Sequence, residues 1–150
     1  MNSASYGAVL KALNRCKQAI RRCNKVWEAI EQDSSVKVTG SHYGSTISVY
    51  AKAPGKQAAT EAQRWLEELE EVYRESGFKP ELRPELAHYS AVLDAWSRSK
   101  DLDAVKNSKD IFDRLSRHHT PDATAYTSLL AVLANQRTAS AAEEAEMLLN

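Results

Sequence analysis

Tyr89-Ser90-Ala91-Val92-Leu93-Asp94-Ala95-Trp96 decides how this chain is read, because the same octet pattern occurs four times. The other copies are Tyr6-Gly7-Ala8-Val9-Leu10-Lys11-Ala12-Leu13, Tyr43-Gly44-Ser45-Thr46-Ile47-Ser48-Val49-Tyr50 and Tyr126-Thr127-Ser128-Leu129-Leu130-Ala131-Val132-Leu133. Their tyrosines are 37, 46 and 37 residues apart. Self-similarity at such a period is the mark of a repeat array, in which each unit buries its apolar face against its neighbours. Within each copy the large residues fall at i, i+3, i+4 and i+7, one face of an α-helix. The third copy shows it as Tyr89, Val92, Leu93 and Trp96, and the second puts Thr46 among the apolar residues. The residue after each tyrosine is small: Gly7, Gly44, Ser90 and Thr127. It lies off the apolar stripe, where it can let a neighbouring helix approach or can face a ligand.

A second pattern follows each octet. A small residue stands three before a large apolar pair: Cys23 before Val26-Trp27, Ala62 before Trp65-Leu66, Ser108 before Ile111-Phe112 and Ala145 before Leu148-Leu149. Each unit therefore reads as a helical hairpin, with boundaries near 3–39, 40–85, 86–122 and 123–150. Ala53-Pro54-Gly55 breaks the second hairpin. Thr60-Glu61-Ala62-Gln63 resembles a capping box for its second helix, which can also begin earlier, and Gly77 stands where a left-handed residue would end that helix. The extra segment Glu81-Leu82-Arg83-Pro84 accounts for the long spacing of 46. Asp122 is placed to cap the fourth tyrosine helix, and Ser140-Ala141-Ala142-Glu143 to cap the second helix of the fourth hairpin. The expected fold is an all-α solenoid of about four helix-turn-helix repeats, with Trp27, Trp65 and Phe112 in the seams. The chain stops within an apolar stripe, which reads as an array cut at its C-terminus.

Composition excludes several classes of function. No apolar run approaches the ~20 residues that span a bilayer, and no targeting segment is recognisable. The two cysteines, Cys16 and Cys23, have no histidine at ligand spacing and so make no zinc site; Cys23 reads as a buried free thiol. Gly55-Lys56 lacks the upstream glycine of a phosphate loop. His118-His119 reads as exposed loop, and Glu67, Glu68, Glu70 and Glu71 as a solvated helix face. No catalytic constellation, metal site or cofactor emerges, so a monomeric binding scaffold rather than an enzyme is expected. Twenty basic residues balance twenty acidic ones, which argues mildly against a polyanion partner. The balance is uneven, because residues 1–40 carry seven Lys/Arg against three acids, whereas Glu61 to Glu85 is acidic.

Taken together, the four registered units resemble the pentatricopeptide repeat family, over essentially all of residues 3–150. That family's unit is a pair of antiparallel helices of about 35 residues, with a tyrosine and a variable small residue on the first helix. Gly77-Phe78-Lys79-Pro80-Glu81 and Thr120-Pro121-Asp122 look like its closing turn. The tetratricopeptide pattern fits less well, since its Leu-Gly pair is absent. The resemblance implies binding of single-stranded RNA at about one base per repeat, in mitochondrial or plastid RNA processing, stability or translation. The residues it implies as base readers are Gly7, Gly44, Ser90 and Thr127, with the closing residues Thr39, Glu85 and Asp122. Ser90 with Asp122 implies a purine, guanine being favoured, whereas Gly7 and Gly44 carry no group that reads a base edge. The clamp places two before each tyrosine hold Ala4, Ser41, Ala87 and Thr124 instead of large β-branched residues. Arg15, Lys52 and Arg98, each nine after a tyrosine, match the family's place for an RNA-backbone cation; helix C-terminal compensation explains them equally well. A protein-interaction scaffold of the same fold is the alternative.

Overall fold

The computed structural model describes residues 2–149, with side chains for all of these except 138–145 and 149. Seven α-helices follow one another: α1 (Ser3–Leu13), α2 (Ala19–Gln32), α3 (Gly40–Ala51), α4 (Lys56–Glu75), α5 (Leu86–Ser99), α6 (Ala104–His118) and α7 (Ala123–Leu149). A 3₁₀ turn at Pro80–Leu82 lies between α4 and α5, and no strand occurs among the described residues. The tyrosine octets form α1, α3, α5 and the start of α7. These four pack in succession, α1 on α3, α3 on α5 and α5 on α7. The intervening helices pair with their predecessors as hairpins, α1 with α2, α3 with α4, and α5 with α6.

The periodic stripes bury as their spacing dictates. Leu10, Thr46, Ile47, Val92 and Leu93 are completely inaccessible, and Tyr6, Tyr43, Tyr50, Tyr89 and Trp96 are buried. The small places of the second helices, Cys23, Ala62 and Ser108, are also at 0% exposure. Cys23 is a free thiol, and burial pushes its pKa up against the opposing hydrogen bond with Thr46. Thr46 owes its place in an apolar stripe to a partner on the preceding helix. Its hydroxyl accepts the Trp27 indole N–H at 2.7 Å and donates to the His42 carbonyl at 2.9 Å. Trp27, Tyr43 and Trp65 form one aromatic cluster with centroid separations of 4.8–5.9 Å. Phe112 is half-buried and packs on Tyr126 at 5.2 Å.

Each hairpin turn contains one left-handed residue: Gln18 (φ 60°), Gly55 (φ 96°) and Lys100 (φ 52°). Only Gly55 adopts that region without steric cost. Helix α4 ends in a Schellman motif, in which Phe78 N–H donates to Tyr73 O at 3.0 Å and Gly77 N–H to Arg74 O at 3.2 Å. Two local expectations are corrected. Thr60 does not start a helix, since α4 begins at Lys56 and the Thr60 hydroxyl donates back to the Lys56 carbonyl. The fourth unit is not a hairpin, because α7 runs unbroken from Ala123 to Leu149. The span holds neither glycine nor proline and is rich in alanine, glutamate and leucine, so helix propensity carries the chain past Ser140. The side chains of the expected capping box there, and those of Ala145 and Leu149, lie outside the described residues.

The fourth stripe is also buried differently. Ala125, Ser128 and Val132 face the core, while Tyr126 and Leu130 are 52% and 64% exposed. α7 packs on α5 and on α6, and no third helix packs against it among the described residues.

Candidate nucleic-acid interface

The residues that start each tyrosine helix do two jobs. Thr39 and Glu85 are the N-caps of α3 and α5, and His42 and His88 stand three residues later. The Thr39 N–H donates to His42 Nδ1 at 3.2 Å, and the Glu85 N–H to His88 Nδ1 at 2.8 Å. The imidazole thus takes the role that glutamate or glutamine plays in a capping box. Since Nδ1 accepts, the neutral ring carries its proton on Nε2. In His42 that nitrogen bonds the Ser3 carbonyl at 2.9 Å, and in His88 the Gly40 carbonyl at 3.0 Å. Each ring therefore ties the start of one tyrosine helix to the start of the tyrosine helix before it. His88 is buried, and that burial holds its pKa below the usual imidazole range, partly offset by the Gly40 carbonyl and Glu85.

The same rings cover the glycines. A Cβ on Gly7 would lie 3.6 Å from His42 Nε2, an ordinary contact. A Cβ on Gly44 would lie 2.7 Å from His88 Nε2 and 3.0 Å from its Cδ2. An imidazole held at both nitrogens cannot swing aside, so Gly44 is the residue this close approach requires. Ser90 stands at the corresponding place of α5. It is 8% exposed, and its Oγ is closed off from solvent without a hydrogen-bond partner. Thr127 is exposed, and its hydroxyl donates to the Ala123 carbonyl at 2.7 Å.

Two of the three closing residues, Glu85 and Asp122, share a cleft with the reader of their own unit, Gly44 and Ser90; Thr39 does not share one with Gly7. Thr39, Gly44 and Glu85 line a cleft of about 610 Å³ that also takes Lys11 and Arg83. Ser90, Asp122, Glu85 and Thr124 line a second, of about 510 Å³. Asp122 caps α7 by accepting the Ala125 N–H at 2.9 Å, which leaves its other carboxylate oxygen free of this bond. Gly7 and Thr127 line neither cleft, and nor do Arg15, Lys52 and Arg98. Arg15 sits in the turn after α1, and Lys52 is the exposed C-cap of α3. Arg98 is paired with Asp94 one turn earlier, at 3.0 Å. Asn135, in the same register on α7, donates to the Ser97 carbonyl at 2.8 Å and so ties α7 to α5.

His42 and His88 do not stand out in the sequence as site residues, although the signal exists: each precedes a tyrosine and lies three residues after a capping Thr or Glu. Among the described residues no group of His, Cys, Asp and Glu could hold a metal ion, and no helix is long and apolar enough to cross a membrane. No family model, no curated protein and no solved structure matches this chain.

Proposed function

We propose that this chain binds single-stranded RNA as a pentatricopeptide-type repeat array, its hairpins stacked as a solenoid with the tyrosine helices along the RNA-facing side. One observation carries the reading: Ser90 and Asp122, 32 residues apart in sequence, line one cleft. They are the pair that the family resemblance implies as a base reader. The Ser90 hydroxyl is not spent on the fold. A buried unpaired hydroxyl costs about 1–3 kcal/mol, which a hydrogen bond to a base edge would offset once Ser90 turns its Oγ, closed off in the free chain, toward the cleft it lines. The resemblance makes the base a purine, guanine favoured, and makes a mitochondrion or plastid the setting. Exposed Arg15 and Lys52 supply the salt-sensitive part of the affinity. Packing of Gly44 beneath His88 accounts for a second unit that reads no base.

The test is binding to short single-stranded RNAs that differ at one position, at low salt, beside two variants that spare the fold. Ser90→Ala removes a hydroxyl with no partner and leaves stability unchanged or slightly higher. Asp122→Asn keeps an N-cap side chain while altering donors and acceptors at the cleft. Both are expected to lose the preference for guanine at one position, an effect of about tenfold for a bidentate contact. Equal binding of all four bases by the parent chain, or an unchanged preference in both variants, would sink the reading.

A protein-interaction scaffold of the same fold is the second reading, favoured by the exposed Tyr126 and Leu130 on α7. It gains if RNA fails to bind while a partner protein protects these two residues from solvent.

A further inference from the structure

On the other side of the Pro80–Leu82 turn lies a third cleft, of about 450 Å³, between the C-terminal ends of α4 and α6. Its walls are unlike those of the other two. Arg74, Arg83 and Arg117 line it, all exposed. None of the three forms an ion pair among the described residues. The fourth arginine, Arg114, is spent. It is half-buried and pairs with Glu70, with Glu67 at 3.4 Å and with Asp110 at 3.4 Å. Four arginines thus stand against two carboxylates in the lining, Glu70 and Asp110, both held at Arg114, so the net charge of the cleft is positive.

Beside the arginines stands an aromatic wall. Phe78 is 63% exposed, with φ 63°. It is the residue after Gly77 in the Schellman motif, and its ring and that of Tyr73 make a T-shaped pair with centroids 5.3 Å apart at 80°. With Tyr73 on one side, Phe78 still lines the cleft with most of its surface exposed. A leucine would have closed the turn as well; an aromatic in an unfavourable backbone region, half open to water, is more than the turn demands.

We propose that this cleft binds a mononucleotide, its phosphate held by Arg74, Arg83 and Arg117 and its base stacked on Phe78. Guanidinium groups suit phosphate oxygens through paired, charge-assisted hydrogen bonds. Every base offers a π-face to an aromatic ring. The volume falls in the range of small-molecule sites, about 300–1,000 Å³, and a cleft of this size suits a compact ligand better than an extended phosphopeptide. The site is separate from the Ser90–Asp122 cleft and does not depend on RNA binding there.

The experiment is calorimetric titration of the intact chain with adenosine 5′-monophosphate, adenosine, inorganic phosphate and O-phosphoserine. The nucleotide is expected to bind saturably, and each of the other three at least about tenfold more weakly, since each lacks one half of the recognition. Arg74→Ala/Arg117→Ala is expected to weaken the nucleotide by about tenfold or more. Phe78→Asn, which tolerates the left-handed backbone, is expected to weaken it about five- to tenfold while the helical circular dichroism signal persists. Ser90→Ala is expected to leave it unchanged. Arg83 is not a useful variant, because it lines the cleft beside Gly44 as well. No binding at millimolar nucleotide, phosphate or phosphoserine binding as tightly as the nucleotide, or full affinity in both variants would each overturn the proposal.

Discussion

The junction of α3 with α5 and the junction of α5 with α7 are built on one register and finished differently. In the first, His88 lies over Gly44, locked by the Glu85 N–H and the Gly40 carbonyl. In the second, the place of the histidine is taken by Ala125, and the place of the glycine by Ser90. Ala125 has no side-chain cap to offer and simply packs at 0% exposure. The closing residue there, Asp122, does the capping with its own carboxylate. The lesson is that a small residue after the tyrosine has two origins. At Gly44 it makes room for a neighbour; at Ser90 it leaves a hydroxyl unspent.

The sharpest way to break this comparison is Gly44→Ala against Gly7→Ala. A methyl at Gly44 meets a ring that cannot move, so a loss of about 2–3 kcal/mol is expected from overpacking. A methyl at Gly7 meets His42 at 3.6 Å, and the gain in helix propensity makes that variant neutral or more stable by about 0.5–1 kcal/mol. Urea denaturation of the pair decides it; equal shifts would mean that the histidine does not enforce the glycine. A smaller effect is expected from carrying the device across. Ala125→His should cost about 1–3 kcal/mol on its own by overpacking, and adding Ser90→Gly should recover at least half. Failure of the second change to rescue the first would show that the two junctions do not share a register.

The smallest effect is on the pH dependence of stability. His88 has its folded pKa below the unfolded value near 6.5. Between the two values the unfolded chain binds the proton and the folded chain does not, so stability falls as pH drops below about 6.5. The loss continues until the folded pKa is passed. In His88→Gln, where the amide can still reach back to the N-cap N–H, the decline between pH 7 and 5 should be shallower. A parallel decline would remove His88 from the account.

Much of the fold is legible in the order of the amino acids. Stripes at i, i+3, i+4 and i+7 mark the helices, and Pro54-Gly55 and Gly77 mark real breaks. The turns at Gln18 and Lys100 carry no such sign, because residues with no preference for the left-handed region occupy it there. The candidate site is legible in part. Ser90 with Asp122, and Gly44 with Glu85, share clefts, whereas Gly7 and Thr39 do not. Arg98 is engaged by Asp94, as an i,i+4 pair on one helix foretells. The fourth hairpin fails as an expectation because a capping box is a short-range signal, and an alanine- and glutamate-rich run overrides it.

What the sequence alone determined, then, are the properties that act over one or two turns: the helices, their apolar faces, the small residues at registered places and the caps. Such properties follow from spacing along one chain segment, which is why four weakly similar octets suffice to reveal them. Tertiary structure decided which small residue is a packing necessity and which a free hydroxyl, through a histidine 44 residues beyond the glycine it covers. It also decided that Arg114 is consumed by Glu70 and Glu67 from another unit while three nearby arginines are left free. Those outcomes depend on which helix ends meet, and contact between residues so far apart in sequence is a property of the packed chain.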